Sequence, residues 1–374
     1  DTPGAEAPSE MCFYFPQFRA LCMSEIATHT LHNCYTLRGA EVRNALLWSK
    51  HIKEAMLLFA DAEVVFASHH WPTWGNEEVT AYLTQQRDLY KYIHDETLRL
   101  ANHGYVSEEI AEMVELPESI AGHFSSRGYY GSVRHDVKAQ YQLYLGWFDG
   151  NPAHLNPLPP EPAAQRYVEY MGGADAVLER ARRDHEAGEY RWVAEVVGRV
   201  VFADPSNQEA RELQAAALTQ LGYQAESGPW RNFYLTGAHE LRHGGPEGQG
   251  LGGGQGAGFL AAMSVEMVFD LLGVRIDGPA ADGVELALGW RFPDIDEEWT
   301  LRLEHGAVSA WPDLSDDVTV TLTMDRPVLT RMLVDRESVA ASVESGALVI
   351  DGDAATLATF FGFLDPPTPG FSLI

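Results

Sequence analysis

The stretch Gly244-Gly-Pro-Glu-Gly-Gln-Gly-Leu-Gly-Gly-Gly-Gln-Gly-Ala-Gly258 sets the first limit on what this chain can fold into. Glycine loses more backbone freedom on ordering than any other residue, so this run reads as a flexible linker and a domain boundary. A glycine-rich phosphate cradle is the functional alternative. It would need a Lys-Ser/Thr ending and a preceding strand, and the run has neither. A chain of 374 residues has room for two or three domains, and the run supplies one of the cuts.

Upstream of it, the densest chemistry lies between Glu25 and Arg38: Glu-Ile-Ala-Thr-His-Thr-Leu-His-Asn-Cys-Tyr-Thr-Leu-Arg. A carboxylate and neutral imidazoles suit a divalent metal such as zinc. An amide and a guanidinium fork suit a tetrahedral oxyanion. Glu25 and His29 stand at i and i+4, His29 and His32 at i and i+3, which makes them neighbours on a helix. An amphipathic helix start with polar residues facing water fits the same letters, and the window alone leaves both readings open.

Around this stretch, residues 1–80 read as an α/β unit. Met11 to Phe15 is a short apolar run before Pro16, consistent with a buried strand, and Leu37 to Ala60 has a helical pattern. A second strand from Glu63 delivers His69-His70-Trp71-Pro72 at its C-terminal end, where open α/β sheets place ligands. From Glu77 to Arg127 the pattern is helical. The loop from Arg127 to Asp136 follows, with two tyrosines and a histidine, and then a helix from Val137 to Trp147. Residues 162–225 read as helical hairpins with fewer than three full repeats, so no solenoid is expected. Beyond the glycine run, a helix from Val265 to Leu272 precedes strands from Val284, Trp299 and Val318; the last alternates strictly and reads as half-buried and antiparallel. Helices at Pro327 to Val334 and Ala354 to Leu364 complete an α+β module.

Charge narrows the partners. Acids outnumber bases by 54 to 26, a net charge of −28, and only four lysines are present. Nucleic acid, which demands basic patches, is not expected as a partner, and an anionic substrate needs a local basic pocket. The same balance suits a protein adapted to high salt. No apolar run approaches the ~18 residues of a membrane span, and the first residues lack the pattern of a signal peptide. Cys12, Cys22 and Cys34 form no CxxC pair and read as small buried hydrophobes.

Taken together, Thr2-Pro-Gly-Ala-Glu-Ala-Pro-Ser-Glu-Met11, Glu25 to Asn33, Leu37-Arg-Gly-Ala40, His69-His-Trp-Pro72, Gly128-Tyr-Tyr-Gly131 with His135, Tyr144 to Ala153 and Pro157-Leu-Pro-Pro160 resemble an alkyl sulfatase of the metallo-β-lactamase superfamily. The resemblance spans nearly the whole chain. It implies a multi-domain α/β, all-α and α+β protein: a partial αββα sandwich, being the C-terminal half of a metallo-β-lactamase-like domain, over 1–80; an α-helical dimerisation domain over 81–233; a linker over 234–258; and a sterol-carrier-protein-like domain over 259–374. It implies two zinc ions sharing a bridging water, with Glu6, Glu25 and His70 among their ligands. By the same resemblance Asn33, Arg38, Tyr130 and His135 hold the sulfate group, and His32 is a proton donor. The activity implied is hydrolysis of linear alkyl sulfates to alcohol and sulfate by a homodimer. The family's His-x-His-x-Asp-His cluster is missing from the fourteen histidines, which implies a piece of a longer enzyme with an incomplete zinc site. A catalytically inactive protein that dimerises and binds an alkyl chain, and a metallo-hydrolase for another ester, are the alternatives.

Overall fold

The computed structural model describes residues 1–245, 255–334 and 338–365. Its two compact units part between Gly244 and Gly245, inside the glycine-rich run, of which residues 246–254 lie outside the described residues.

The first unit opens with β1 (Phe13–Phe15) and β2 (Ala20–Cys22), an antiparallel pair turned by a 3-10 segment at Pro16–Phe18. The chain then crosses over through α1 (Ala45–Leu58) to β3 (Val64–Phe66), which lies parallel to β2 with Cys22 beside Phe66, and β4 (Thr73–Trp74) closes the sheet. The strand expected to be buried at Met11 to Phe15 is instead an edge strand, with Phe13 and Phe15 both exposed. Helix α1 starts eight residues later than its apolar pattern suggests. Asn44 caps it, its Oδ1 accepting from Leu46 N at 2.9 Å and Leu47 N at 3.1 Å.

Helix α2 (Asn76–Ala101) follows, then α3 (Ser107–Met113), α4 (Glu118–Ala121) and α5 (Val133–Leu145). The helix expected through to Arg127 thus breaks after Ala101, and α5 begins at Val133, four residues earlier than expected, because Ser132 caps it by accepting from His135 N. Ala45, Trp48, Ile52 and Ala55 of α1 recur at helical spacing and face α2. Trp48 stacks on Tyr90 with ring centroids 4.4 Å apart, and its Nε1 donates to Ile26 O at 2.7 Å. One apolar core runs from Ala5 to Tyr141, so packing shows no boundary after residue 80.

A second core in this unit lies between the helical hairpins α6 (Pro160–Tyr170), α7 (Ala174–Glu186), α8 (Tyr190–Ala203), α9 (Gln208–Gln224) and α10 (Gly228–His243). Helix α10 occupies residues expected to be linker from 234 on, because Gly237, Ala238 and Leu241 bury a continuous face. Gly222 permits the close approach of α9 and α10: a Cβ there would lie 2.7 Å from Leu235 Cδ2.

The second unit carries α11 (Gln255–Ala262) and α12 (Val265–Gly273), then a five-stranded sheet in the order β7-β6-β5-β8-β9. Its strands are β5 (Leu286–Phe292), β6 (Glu297–Glu304), β7 (Ala307–Pro312), β8 (Val320–Met324) and β9 (Leu348–Gly352). Helices α13 (Arg326–Val334), α14 (Val339–Glu344) and α15 (Ala354–Gly362) complete it. The alternating strand β8 pairs parallel with β5 and antiparallel with β9, which corrects its purely antiparallel reading. Among the described residues no helix is long and apolar enough to cross a membrane.

Trp48 has no exposed surface and joins α1 to α2 and to the loop after β2. Trp48→Ala is expected to destabilise the first unit by about 3–5 kcal/mol. Scanning calorimetry should show a transition of the first unit moving down while that of the second stays in place.

Candidate metal centre and anion pocket

Because β2 and β3 are parallel and in register, the loops leaving their C-terminal ends emerge on the same edge of the sheet. Met23 N donates to Phe66 O and Ser68 N to Ser24 O, each at 2.8 Å, which ties the two loops together. Glu25, from the first loop, lies 3.1 Å from His69 Nε2 through Oε1 and 3.2 Å from His32 Nε2 through Oε2. The hydrogen bond from His32, reinforced by His69, holds the Glu25 carboxyl down at about 2 against its partial burial.

Glu6 reaches the same place from a turn in which Gly4 adopts a φ of +76°. What fixes it is Arg43. The guanidinium donates to the Glu6 carbonyl, to the Glu6 carboxylate at 2.5 Å, to the Asn33 carbonyl at 3.0 Å and to Asn33 Oδ1. The two side chains of this ion pair are only 13% and 12% exposed. Removing one partner from so desolvated a pair typically costs about 3–5 kcal/mol. The sequence reading passed over Arg43. Its one visible signal is its place just ahead of the cap of α1, and Glu41 offers a ready surface partner that disguises it.

The result is a cluster. Ligand atoms of Glu6, Glu25 and His32 all lie within 4.8 Å of one another. His32 is 2% exposed, wedged between Trp48 and Tyr130 with ring centroids 5.4 and 4.7 Å away. Its Nδ1 lies 3.0 Å from the Asn33 carbonyl oxygen, which leaves Nε2 as the nitrogen facing the carboxylates. Two carboxylates and an imidazole oriented by a backbone carbonyl form a donor set that fits zinc. Burial, and then the adjoining Glu6 carboxylate, push the nearby Glu10 carboxyl up to about 7.

His70 stands outside this group. It is exposed, with a left-handed φ of +70°, and its ring lies 6.5 Å from those of His29 and His69. Of the residues expected to hold an anion, Asn33 is buried beside the cluster, and Tyr130 packs edge-on against His32. Tyr130 is held there by Gly131, whose missing Cβ would fall 2.7 Å from His32 O and 2.8 Å from Asn33 N. Arg38 is exposed, and its side chain has no partner among the described residues.

His135 is placed differently from the expectation. It sits in the first turn of α5, 8% exposed, where Trp230 Nε1 donates to its Nδ1 at 3.0 Å and its Nε2 donates to Tyr35 O at 2.6 Å. Both nitrogens are committed to the protein, so neither is free for an anion. Its neighbour Asp136 has no exposed surface and accepts from Cys34 N at 2.7 Å through Oδ1, while Oδ2 has no partner. Burial pushes that carboxyl well above the usual carboxylate range.

Comparisons with known proteins bear on this arrangement. Residues 106–244 match the family model described as alkyl sulfatase dimerisation, and residues 254–374 the one described as alkyl sulfatase C-terminal. A linear primary-alkylsulfatase of Pseudomonas sp. is 50% identical over 369 residues, which is 97% of this chain and 54% of that protein. Another, from a second Pseudomonas strain, is 36% identical over 371 residues, 96% of this chain and 70% of its own length. The solved structure of the stereoselective inverting sec-alkylsulfatase Pisa1 from Pseudomonas sp. superposes with a TM-score of 0.95 at 40% identity, covering 100% of this chain and 59% of that one. The chain therefore spans little more than half the length of the first relative it matches.

Burial lowers the pKa of His135 below the ordinary histidine value of about 6.5. The unfolded chain therefore takes up a proton there before the folded one does, so this stabilising contribution is complete above about pH 6.5 and is lost as pH falls below it. In urea denaturation, the stability gap between wild type and His135→Gln should narrow between pH 7 and 5. A gap independent of pH would contradict the burial argument.

Proposed function

The chain belongs to the alkylsulfatase family, and on that premise we propose that it supplies part of a two-zinc centre hydrolysing linear alkyl sulfate esters to an alcohol and inorganic sulfate. The observation that carries the reading is the convergence of Glu6, Glu25 and His32 beside Asn33 and Tyr130. Zinc, when bound, supplies a Lewis acid and an acidified water. Glu6 and Glu25 are the residues we assign to holding it, and His70, exposed on the loop that His69 ties to Glu25, is the third ligand we assign, which would have to turn in from outside the cluster to reach the ion. His32 is oriented through Nδ1–H on the Asn33 carbonyl, so in its imidazolium form the second proton sits on Nε2, from which it would pass to the oxygen of the departing group. Asn33, Tyr130 and the unpartnered Arg38 bind the sulfate, the guanidinium fork meeting two of its oxygens. His135 acts at one remove, by fixing the Tyr35 carbonyl and Trp230. The finer fold assignments, a lactamase-type half sandwich for the first strands and a sterol-carrier-like second unit, belong to the same proposal. Their support is the parallel β2–β3 crossover and the five-stranded mixed sheet.

The homodimer is the second part of the reading. Residues 106–244 match a dimerisation model, and this region exposes Tyr167, Tyr170, Trp192 and Phe202. Such a density of exposed rings suits a contact between copies.

Release of sulfate from decyl sulfate, with zinc supplied, tests the chemistry. Glu25→Gln should lower retained zinc and abolish release. Arg38→Ala should keep its zinc and lose roughly ten- to hundredfold in kcat/KM, as expected for one charge-assisted bond to a desolvated anion. Undiminished kcat/KM in both variants overturns the assignment. For the assembly, light scattering should give twice the chain mass of 41.4 kDa. Trp192→Glu should return it to a single copy, and a wild-type monomer at micromolar concentration counts against the dimer.

A further inference from the structure

Three side chains outside the metal centre form a chain of hydrogen bonds with a fixed polarity. His94 lies on α2 and is 7% exposed, and Tyr144 lies on the last turn of α5. His94 Nδ1 is 2.7 Å from Asp95 Oδ1, and its Nε2 is 3.0 Å from the Tyr144 hydroxyl oxygen. An ionised carboxylate only accepts, so Nδ1 carries the proton. Nε2 of the neutral ring is then the acceptor, and the phenol donates to it. Asp95 Oδ2 pairs with Lys91, one turn earlier on α2, which leaves Oδ1 to the imidazole. The two rings also meet edge to face, with centroids 5.4 Å apart. A hydroxyl bonded to a base, with the base oriented by a third group, is the arrangement that activates a nucleophile. Tyr144 itself is 41% exposed and can be reached by a reagent. It opens the run from Tyr144 to Ala153, which no step assigned above uses.

We propose that Tyr144 is a nucleophile, with His94 as its general base and Asp95 orienting that base, and that it takes an acyl group from a neutral activated carboxylic ester. Charge selects the class of reagent. A net charge of −28, with Asp95 inside the chain of bonds itself, repels phosphate and sulfate esters but not a neutral aryl ester. In the step, Tyr144 Oη attacks the ester carbonyl carbon while its proton passes to His94 Nε2. Asp95 stabilises the imidazolium that forms. The adduct collapses, the bond from the carbonyl carbon to the aryl oxygen breaks, and the aryl oxide leaves with the electron pair and takes the proton back from His94. The products are an O-acylated Tyr144 and a phenol. None of the three side chains belongs to the metal centre, so this reactivity is independent of zinc and of the alkyl sulfate chemistry.

The probe is p-nitrophenyl acetate, and the quantity read is the rate of O-acetylation at each tyrosine of the zinc-supplied chain, by mass spectrometry of its peptides. Tyr170, 91% exposed, is the internal reference, because accessibility alone would make it the faster of the two. Tyr144 should acetylate at least about tenfold faster than Tyr170, the low end of what a positioned base supplies. A wild-type ratio short of that overturns the proposal. In His94→Gln, which keeps a polar partner for the hydroxyl but cannot take its proton, the ratio should fall to unity or below. Asp95→Asn should lower it in part. A ratio that persists in His94→Gln also overturns the proposal, and the bond from Tyr144 to His94 is then only a pin between α2 and α5. Should His94→Gln lose its melting transition, Asp95→Asn decides, at a side chain 49% exposed, and an undiminished ratio there counts as failure.

Discussion

The candidate site depends on one desolvated guanidinium. Arg43 is the group through which the N-terminal turn, the Asn33 peptide and the start of α1 meet, and no other cation among the described residues holds that junction. Gln140 of α5 backs it, donating to the Arg43 carbonyl at 2.9 Å while accepting from Ala45 N at 3.1 Å. Two carboxylates as close as Glu6 and Glu25 repel each other in a low-dielectric interior. A fixed positive charge against one, and imidazoles against the other, make their proximity tolerable before any metal arrives.

The same junction reaches into the helical region. Ser227 Oγ donates to Tyr130 O at 3.0 Å, Gly228 N donates to Tyr129 O at 2.8 Å, and Trp230 of α10 bonds His135. The loop that carries Tyr130 is thus clamped between the Leu31–Asn33 backbone on one side and the first turn of α10 on the other. The part of the first unit that matches a dimerisation family is mechanically continuous with the candidate site.

How much of this was legible in the sequence follows from the range of the interactions. Glu25, His32 and Asn33 stand within nine positions, so their joint chemistry could be read directly from the letters. Periodicity located α7, α8, α12 and most strands, because burial against a neighbour imposes it locally. β2, β4, β7 and β9 escaped: β2 and β4 are only three and two residues long, β7 is an exposed edge, and the three apolar residues that open β9 run consecutively and show no alternation. Arg43 escaped because its partner Glu6 is 37 positions away, and nothing local distinguishes it from a surface arginine. His135 was located by its motif, but its commitment to Tyr35 and Trp230, 100 and 95 positions distant, is a product of tertiary closure alone.

The register of β2 with β3 has a further consequence. Cys22 stands beside Phe66, and the two side chains that bond across the cluster, Glu25 and His69, each lie three residues beyond that rung. The geometry is therefore set by counting along two loops of equal length from a shared starting line. Adding one residue to either loop would advance one side chain by about 3.3 Å relative to the other, more than the length of the bond between them. Segment length between rung and cluster is under tighter constraint than the identity of the spacer residues, and insertions should be excluded there even where substitutions are tolerated.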